Sequence, residues 1–254
     1  SSPSKSNENL LTSIESESSA ICTNAGFISW PILWKSTEII GAQASFNEPR
    51  SMFNNKLIIV SSVGVNIRVA ASSSTLLPKP PKKLSNVEKI ILPGVGAFDD
   101  AMNKFNHSGL KNSVEDMVLN KGVPLLGVCV GMQMLGCSSD EGKEKGLGWI
   151  EANIKIFETS NIMHATKLPH MGWNTIEIKS NNELLFKNLN NKDRFYFLHS
   201  YYFDCAKKDN TLAETHYGIN FTCVVKLNNI YGVQFHPEKS LKNGEKLLYN
   251  FSQL

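Results

Sequence analysis

The stretch that most constrains this chain is Leu125-Leu126-Gly127-Val128-Cys129-Val130-Gly131-Met132-Gln133, an apolar run ending on a cysteine with a glycine two positions to either side. That spacing is the thiol counterpart of the G-x-S-x-G elbow, a tight turn from strand to helix. The turn is strained and leaves no room for a Cβ beside it, which is why glycines flank it. A cysteine there projects from the sheet, with its sulfur near the N-terminus of the following helix, where negative charge is favoured. The pattern alone is equally compatible with a buried structural thiol, the commonest fate of an unpaired cysteine. Residues further along the chain tip the balance.

Ile230 to Phe235 reads as a short strand that runs directly into His236-Pro237-Glu238. Proline disfavours helix in the residue before it, so His236 is expected to stay extended. In extended backbone, positions i and i+2 share a face, which sets Glu238 beside the imidazole. A carboxylate so placed fixes the tautomer of a histidine and stabilises its imidazolium, the part played by the third member of a catalytic triad. A Cys129-His236-Glu238 constellation therefore forms if the two strands lie close in one sheet. A third segment, Ile90-Ile91-Leu92-Pro93-Gly94-Val95-Gly96-Ala97-Phe98, reads as a strand entering a glycine-paired turn. Such turns expose backbone N–H groups to an oxyanion or another anion, although a plain structural turn has the same look. The lysine and Ser/Thr of a phosphate-binding P-loop are missing from it.

Five blocks occur together and in order: P-G-V-G-A-F, G-V-C-V-G-M-Q, L-P-H-M-G-W-N (Leu168 to Asn174), F-L-H-S-Y-Y (Phe197 to Tyr202) and G-V-Q-F-H-P-E-K-S (Gly232 to Ser240). Together they make the chain resemble the triad-type (class I) glutamine amidotransferases, over about two thirds of its length from Asn86 onward. Within that family it is most similar to the glutaminase subunits of imidazole glycerol phosphate synthase, of histidine biosynthesis. Met132 before Gln133, the H-M-G-W-N block and H-S-Y-Y carry that narrower likeness. Subunits of the anthranilate synthase type usually have His where this chain has Met132.

The resemblance implies an α/β fold: a flavodoxin-like open sheet with helices on both faces. It implies hydrolysis of glutamine to glutamate and ammonia, with Cys129 as nucleophile, His236 as acid and base, and Glu238 orienting the imidazole. Backbone N–H groups of Val95 and Val130 match the oxyanion hole, and Gly96, Gln133, Ser200 and Tyr201 match positions that hold the amino-acid end of glutamine. His170, Met171, Trp173 and Asn174 resemble the part that meets a (β/α)₈ synthase partner in a heterodimer, to which the ammonia passes. No cofactor or metal is implied. The family's glutaminases are expected to be nearly idle until the partner binds substrate and the Gly94-Val95-Gly96 loop reorients.

The start of the chain departs from the pattern. The family opens with a strand, then D-Y-G-x-G-N-x-x-S-V, whereas Leu57 to Val60 is followed here by Ser61-Ser62-Val63-Gly64-Val65-Asn66-Ile67-Arg68-Val69. The Asp and both expected glycines are absent, so a subunit that keeps the fold without the catalysis is an alternative reading. The expected division is an unassigned N-terminal segment, 1–54, and an amidotransferase domain, 55–254. Ser1 to about Ser19 has the Ser, Asn and Glu content of disorder.

Composition excludes several other classes. A net charge of +3 over 254 residues argues for neither nucleic acid nor an anionic membrane surface. No apolar run is long enough to span a membrane. Five scattered cysteines without a C-x-x-C pair fit a reducing, cytoplasmic setting rather than a disulfide framework or zinc knuckle. Along the chain, a helix is expected to open at Ser113-Val114-Glu115-Asp116 with a capping box and close at Gly122. Another should start at Met132 to Leu135. Ile154 to Phe157 and Thr175 to Ile178 read as an added antiparallel ribbon. Phe195 to Leu198 and Cys223 to Leu227 read as further strands, and Gly244 to Leu254 as a terminal helix.

Overall fold

The computed structural model describes residues 57–59, 87–164, 166–180 and 182–254. These fall in one compact unit, Asn47–Leu254. The expectations for residues 1–54 and for Ser61 to Val69 lie outside the described residues.

In chain order the strands and helices are β1 (Leu57–Ile59), β2 (Lys89–Gly94), α1 (Phe98–His107), α2 (Lys111–Glu115), β3 (Leu125–Cys129), α3 (Val130–Gln133), β4 (Ser138–Ser139), β5 (Ala152–Ile156), β6 (His170–Thr175), β7 (Glu177–Ile178), β8 (Arg194–His199), β9 (Tyr201–Cys205), β10 (Thr211–Tyr217), β11 (Ile219–Leu227), β12 (Ile230–Val233) and α4 (Leu241–Ser252). Among the described residues, ten strands form one mixed sheet along the path β1-β2-β3-β12-β11-β9-β5-β4, with β10 joining β11 to β7. The first four strands of that path run parallel and the middle ones antiparallel. β6 and β8 make a separate two-stranded antiparallel sheet.

The parallel part explains the apolar runs. β3 is buried at all five positions and is sandwiched in register between β2 and β12. A strand covered on both faces has no solvated side to alternate with, so it reads as continuous hydrophobicity. Parallel strands need a crossover rather than a hairpin, and α1 and α2 supply it between β2 and β3. α1 buries Phe98, Ala101, Met102 and Phe105, the i, i+3, i+4, i+7 stripe of a helix lying on a core. Asp99 and Asp100 sit in its first turn, and Lys104 and His107 in its last, matching the helix dipole at both ends.

Several local expectations are corrected. The second crossover helix starts at Lys111 rather than Ser113, no side chain caps it, and Asp116–Asn120 continues it as a π-helical turn. Ser113 lies inside the helix, out of reach of the capping role. Gly122 does close the segment, at φ +69°. The helix after the elbow is a single turn that starts at Val130, ahead of Met132. The two strands expected as one ribbon pair with different partners, β5 with β9 and β7 with β10. The terminal helix begins three residues before Gly244, at Leu241.

Glycines govern how closely β2, β3 and α3 approach. A Cβ on Gly131 would run into the Leu92 carbonyl oxygen, and one on Gly94 into the Gly131 backbone nitrogen. Gly127 is hemmed in from the same side, its Cβ position 2.7 Å from the Gly131 carbonyl oxygen. Gly131→Ala is therefore expected to destabilise the fold by about 3 kcal/mol or more, the upper end for overpacking. Gly122→Ala has open space around it and is expected to lose only about 1–2 kcal/mol, from the positive φ. Urea titrations of the two variants check the contrast.

Candidate active site

Cys129 ends β3 and caps α3 with φ +54° and ψ −115°, a conformation that non-glycine residues rarely adopt. Such outliers hold about 1–3 kcal/mol of strain and persist only where the surroundings enforce them. Here the enforcement is the close packing of Gly94 and Gly131 just described. The elbow expected from the sequence is thus present, and the thiol is almost fully covered at 4% exposure.

His236 follows β12, the parallel neighbour of β3, so the two ends meet at one edge of the sheet. Its backbone is extended, φ −98° and ψ 98°, as the following proline requires. The chain does not stay extended, however: Pro237–Lys239 is a 3₁₀ turn. Glu238 reaches the imidazole from within that turn, not from the next position on an extended face. The His236 Nδ1–H donates to Glu238 Oε1 at 2.7 Å. This leaves Nε2 for the sulfur of Cys129, which also lies 3.9 Å from the Leu198 carbonyl oxygen, and the influence of Cys129 on the ring shows in its titration. Burial disfavours the imidazolium, but the hydrogen bonds and charges of Cys129 and Glu238 outweigh it and raise the ring pKa from the ordinary 6.5 to about 10.

The backbone around His236 is held from two sides. Its N–H donates to the Tyr196 carbonyl of β8 at 2.8 Å. The Ser240 hydroxyl donates to the His236 carbonyl at 2.6 Å and accepts from the Tyr196 N–H at 2.9 Å. α4 then packs so tightly behind Pro237 that a Cβ on Gly244 would strike the Pro237 carbonyl.

Val95 and Gly96 form the loop after β2, whose last residue, Gly94, lies in register with Cys129. Gly96 is exposed with φ +86°, and Val95 is half-buried. The α1 N-terminus behind this loop is held by Glu141, whose carboxylate accepts from the Phe98 N–H at 2.8 Å. Val130 is the first residue of α3, where backbone N–H groups have no partner within the helix. Gln133 is only 2% exposed. Its side-chain amide donates to the Tyr201 carbonyl at 3.3 Å and to Gln234 Oε1 at 3.1 Å. Ser200 and Tyr201, at the bend between β8 and β9, are half-buried and bring that carbonyl to the site.

The four residues expected at a partner surface divide by strand periodicity. On β6 every second side chain points the same way. Met171 is 62% exposed and Trp173 38%, both pointing outward. His170 corrects the expectation: it points inward and is buried at 4%, stacked between Phe197 and Tyr217 at 4.8 and 4.1 Å between ring centroids. Asn174, on the same face, is half-buried.

Two contributors escaped sequence reasoning. Gln234 is fully buried, and its Nε2 donates to Cys129 Sγ at 3.8 Å. A polar residue between Val233 and Phe235 in an apolar strand was the available signal. His199 pairs with His170 at 3.0 Å, and its Nδ1 meets the Tyr201 carbonyl at 2.7 Å. A cavity of about 290 Å³ lies elsewhere, at the edge made by β6, β7 and β10, lined by residues such as Asn174, Asn191 and Glu214. It holds neither Cys129 nor His236.

A model of the class-I glutamine amidotransferase family matches residues 50–253. The chain belongs to that family. This amidotransferase is 49% identical over 176 residues to imidazole glycerol phosphate synthase subunit HisH of Leptospira borgpetersenii, covering 69% of the chain and 86% of that relative. It is also 49% identical over 172 residues to the subunit of the same name from Bdellovibrio bacteriovorus, covering 68% and 84%. A crystal structure of a glutamine amidotransferase superposes on it with a TM-score of 0.51 at 18% identity, covering 70% of this chain and 88% of that one, a likeness of fold. Both the open-sheet α/β architecture and the family likeness read from the five sequence blocks therefore hold.

Burial prevails at the amidotransferase's other paired histidines. It lowers the pKa of His170 to about 4 and, with the added repulsion of His170, that of His199 to about 3. Folded, both rings stay neutral; unfolded, they bind protons below about pH 6.5. Stability is therefore complete above about 6.5 and is lost as pH falls toward 4, at up to about 1.4 kcal/mol per pH unit for each ring. Denaturant titrations between pH 7 and 4.5 are expected to show this slope, and His199→Asn, which cannot titrate there, to flatten it.

Proposed function

We propose that this amidotransferase is the glutaminase subunit of imidazole glycerol phosphate synthase, hydrolysing glutamine and passing ammonia to a (β/α)₈ synthase subunit in a cytoplasmic heterodimer. The observation that carries the chemistry is the meeting of Cys129, His236 and Glu238 at the shared end of β3 and β12. The amidotransferase domain is assigned to residues 55–254. Glutamine and the synthase subunit are its partners, and no cofactor enters the scheme.

In the reaction, Cys129 attacks the side-chain carboxamide carbon as a thiolate, and His236 holds the proton. Backbone N–H groups of Val95 and Val130 receive the oxyanion, each such donor being worth about 3 kcal/mol of barrier. His236 protonates the departing ammonia, then activates the water that opens the thioester. The raised pKa of His236 supports the first of these roles, since its ring retains the proton while paired with the sulfur. Gly96, Gln133, Ser200 and Tyr201 bind the amino-acid end of glutamine. Gln133 does so while its amide nitrogen stays engaged with Tyr201 and Gln234. The synthase docks on the outward side of β6, where Met171 and Trp173 present apolar surface. Asn174 and His170 support that strand from beneath.

Two outcomes check this reading. Cys129→Ala is expected to abolish glutamine-dependent synthesis by the complex, while synthesis from added ammonia stays within about twofold of wild type; loss of both together would overturn the division of labour. Met171→Ala combined with Trp173→Ala is expected to weaken association with the synthase subunit at least about tenfold in a titration, as truncating buried aromatic anchors does.

A further inference from the structure

The Cys129 sulfur has two polar neighbours that the proposed mechanism does not use: the Leu198 carbonyl, to which the thiol donates at 3.9 Å, and a side-chain amide that donates to the sulfur. Gln234, two residues before His236 and fully buried, donates its Nε2–H to Sγ at 3.8 Å. Its amide cannot turn over freely, because Oε1 accepts from Gln133 Nε2 at 3.1 Å. Reversing it would set a carbonyl oxygen against the sulfur and two N–H donors against each other. Gln133 is fixed in turn, since its nitrogen also donates to the Tyr201 carbonyl at 3.3 Å.

That same carbonyl is the anchor of a second series of bonds. It can only accept, so the 2.7 Å contact from His199 places the proton on His199 Nδ1. In the neutral ring Nε2 is then an acceptor, and the 3.0 Å contact with His170 makes His170 Nδ1 a donor. His170 Nε2 is left to accept, and Asn174 Nδ2 lies 3.5 Å from it while also donating to the His216 carbonyl at 2.9 Å. One set of tautomers satisfies every link. The rings cannot tilt out of it, because His170 is stacked between Phe197 and Tyr217 and His199 packs against Phe157 and Phe221.

We propose that Gln234 is a positioning residue for the Cys129 nucleophile, and that its orientation is set by the buried hydrogen-bond series running from Asn174 on β6 through His170, His199, the Tyr201 carbonyl and Gln133. The donor steadies the sulfur in its negative form and holds it on the line between His236 and the incoming carboxamide. The series ties this aim to β6, the strand whose other face carries Met171 and Trp173. This deepens the glutaminase reading and rests on Cys129 being its nucleophile.

The test uses the full chain assembled with the synthase subunit. Gln234→Met keeps the volume and removes the donor; Gln234→Glu keeps the shape and the acceptor for Gln133 but turns an oxygen toward the sulfur. Both are expected to lower kcat for glutamine roughly tenfold to a hundredfold, the range for a lost hydrogen bond to a charged group, with KM within about twofold. His199→Leu breaks the series and is expected to lower kcat several-fold. His199→Asn, whose Nδ2 can still donate to the Tyr201 carbonyl, is expected to recover most of it. Wild-type kcat in Gln234→Glu, or equal losses in the two His199 variants, overturns the proposal while leaving the glutaminase reading intact. Labelling of the wild-type complex with 6-diazo-5-oxo-norleucine separates the other case: no adduct on Cys129 removes the nucleophile, and with it both readings.

Discussion

Everything at this site depends on how near α3 comes to β2. Cys129 adopts φ +54° only because the chain can fold back sharply after β3. That reversal exists only because Gly131 sits against the Leu92 carbonyl with no side chain of its own, and Gly94 against the Gly131 nitrogen. Three requirements meet in these few atoms: a strained nucleophile, a following helix turn aimed at it, and a neighbouring strand ending in register beside it. A helix displaced outward by one methyl group would relax the strain and separate Val130 from the Gly94-Val95-Gly96 loop. Packing density here therefore fixes the placement of backbone N–H groups beside Cys129 as well as the size of a core.

Around that centre the polar groups are matched rather than merely present. Among the described residues, no buried side-chain nitrogen or oxygen lacks a partner. Burying an ionisable group without a partner is costly, and four of the buried histidine and cysteine side chains meet that cost in two opposite ways. His236 lies with Cys129 and Glu238, and their hydrogen bonds and charges overcome the burial that alone would disfavour a positive ring. His170 and His199 share a proton with no carboxylate near, so burial keeps both neutral. The same residue type thus serves as a charged group at one position and as an uncharged hydrogen-bond coupler at another. Its partners, not its burial, decide which.

Much of this was legible in the sequence, and the boundary of legibility has a physical cause. The elbow could be read because its glycines answer to local sterics, and His236 because a following proline restricts its backbone. The sheet could be read because its parallel strands, covered on both faces, are unbroken apolar runs. What could not be read was set by neighbours distant in the chain. The inward turn of His170 depends on β6 pairing with β8 and on Phe197 and Tyr217 lying beneath it. The short α3 depends on the loop after it folding back, with the Leu147 N–H donating to the Met134 carbonyl and the Ile150 N–H to that of Leu135. The i+2 spacing of Glu238 is legible as nearness to His236, but a 3₁₀ turn rather than strand geometry produces the contact.

The position of β6 gives these observations a common sense. It belongs not to the main sheet but to the small sheet with β8, and β8 is the strand to which the His236 backbone is bonded. A displacement of β6 therefore has two routes to the catalytic pair: through β8 to the imidazole backbone, and through the His170–His199 rings to the Tyr201 carbonyl. Both routes consist of directional hydrogen bonds with few alternative arrangements. The outward residues of the same strand, Met171 and Trp173, are large and apolar and only partly covered. β6 thus carries partly uncovered apolar side chains on one face and, on the other, the start of a hydrogen-bond series that ends at Cys129.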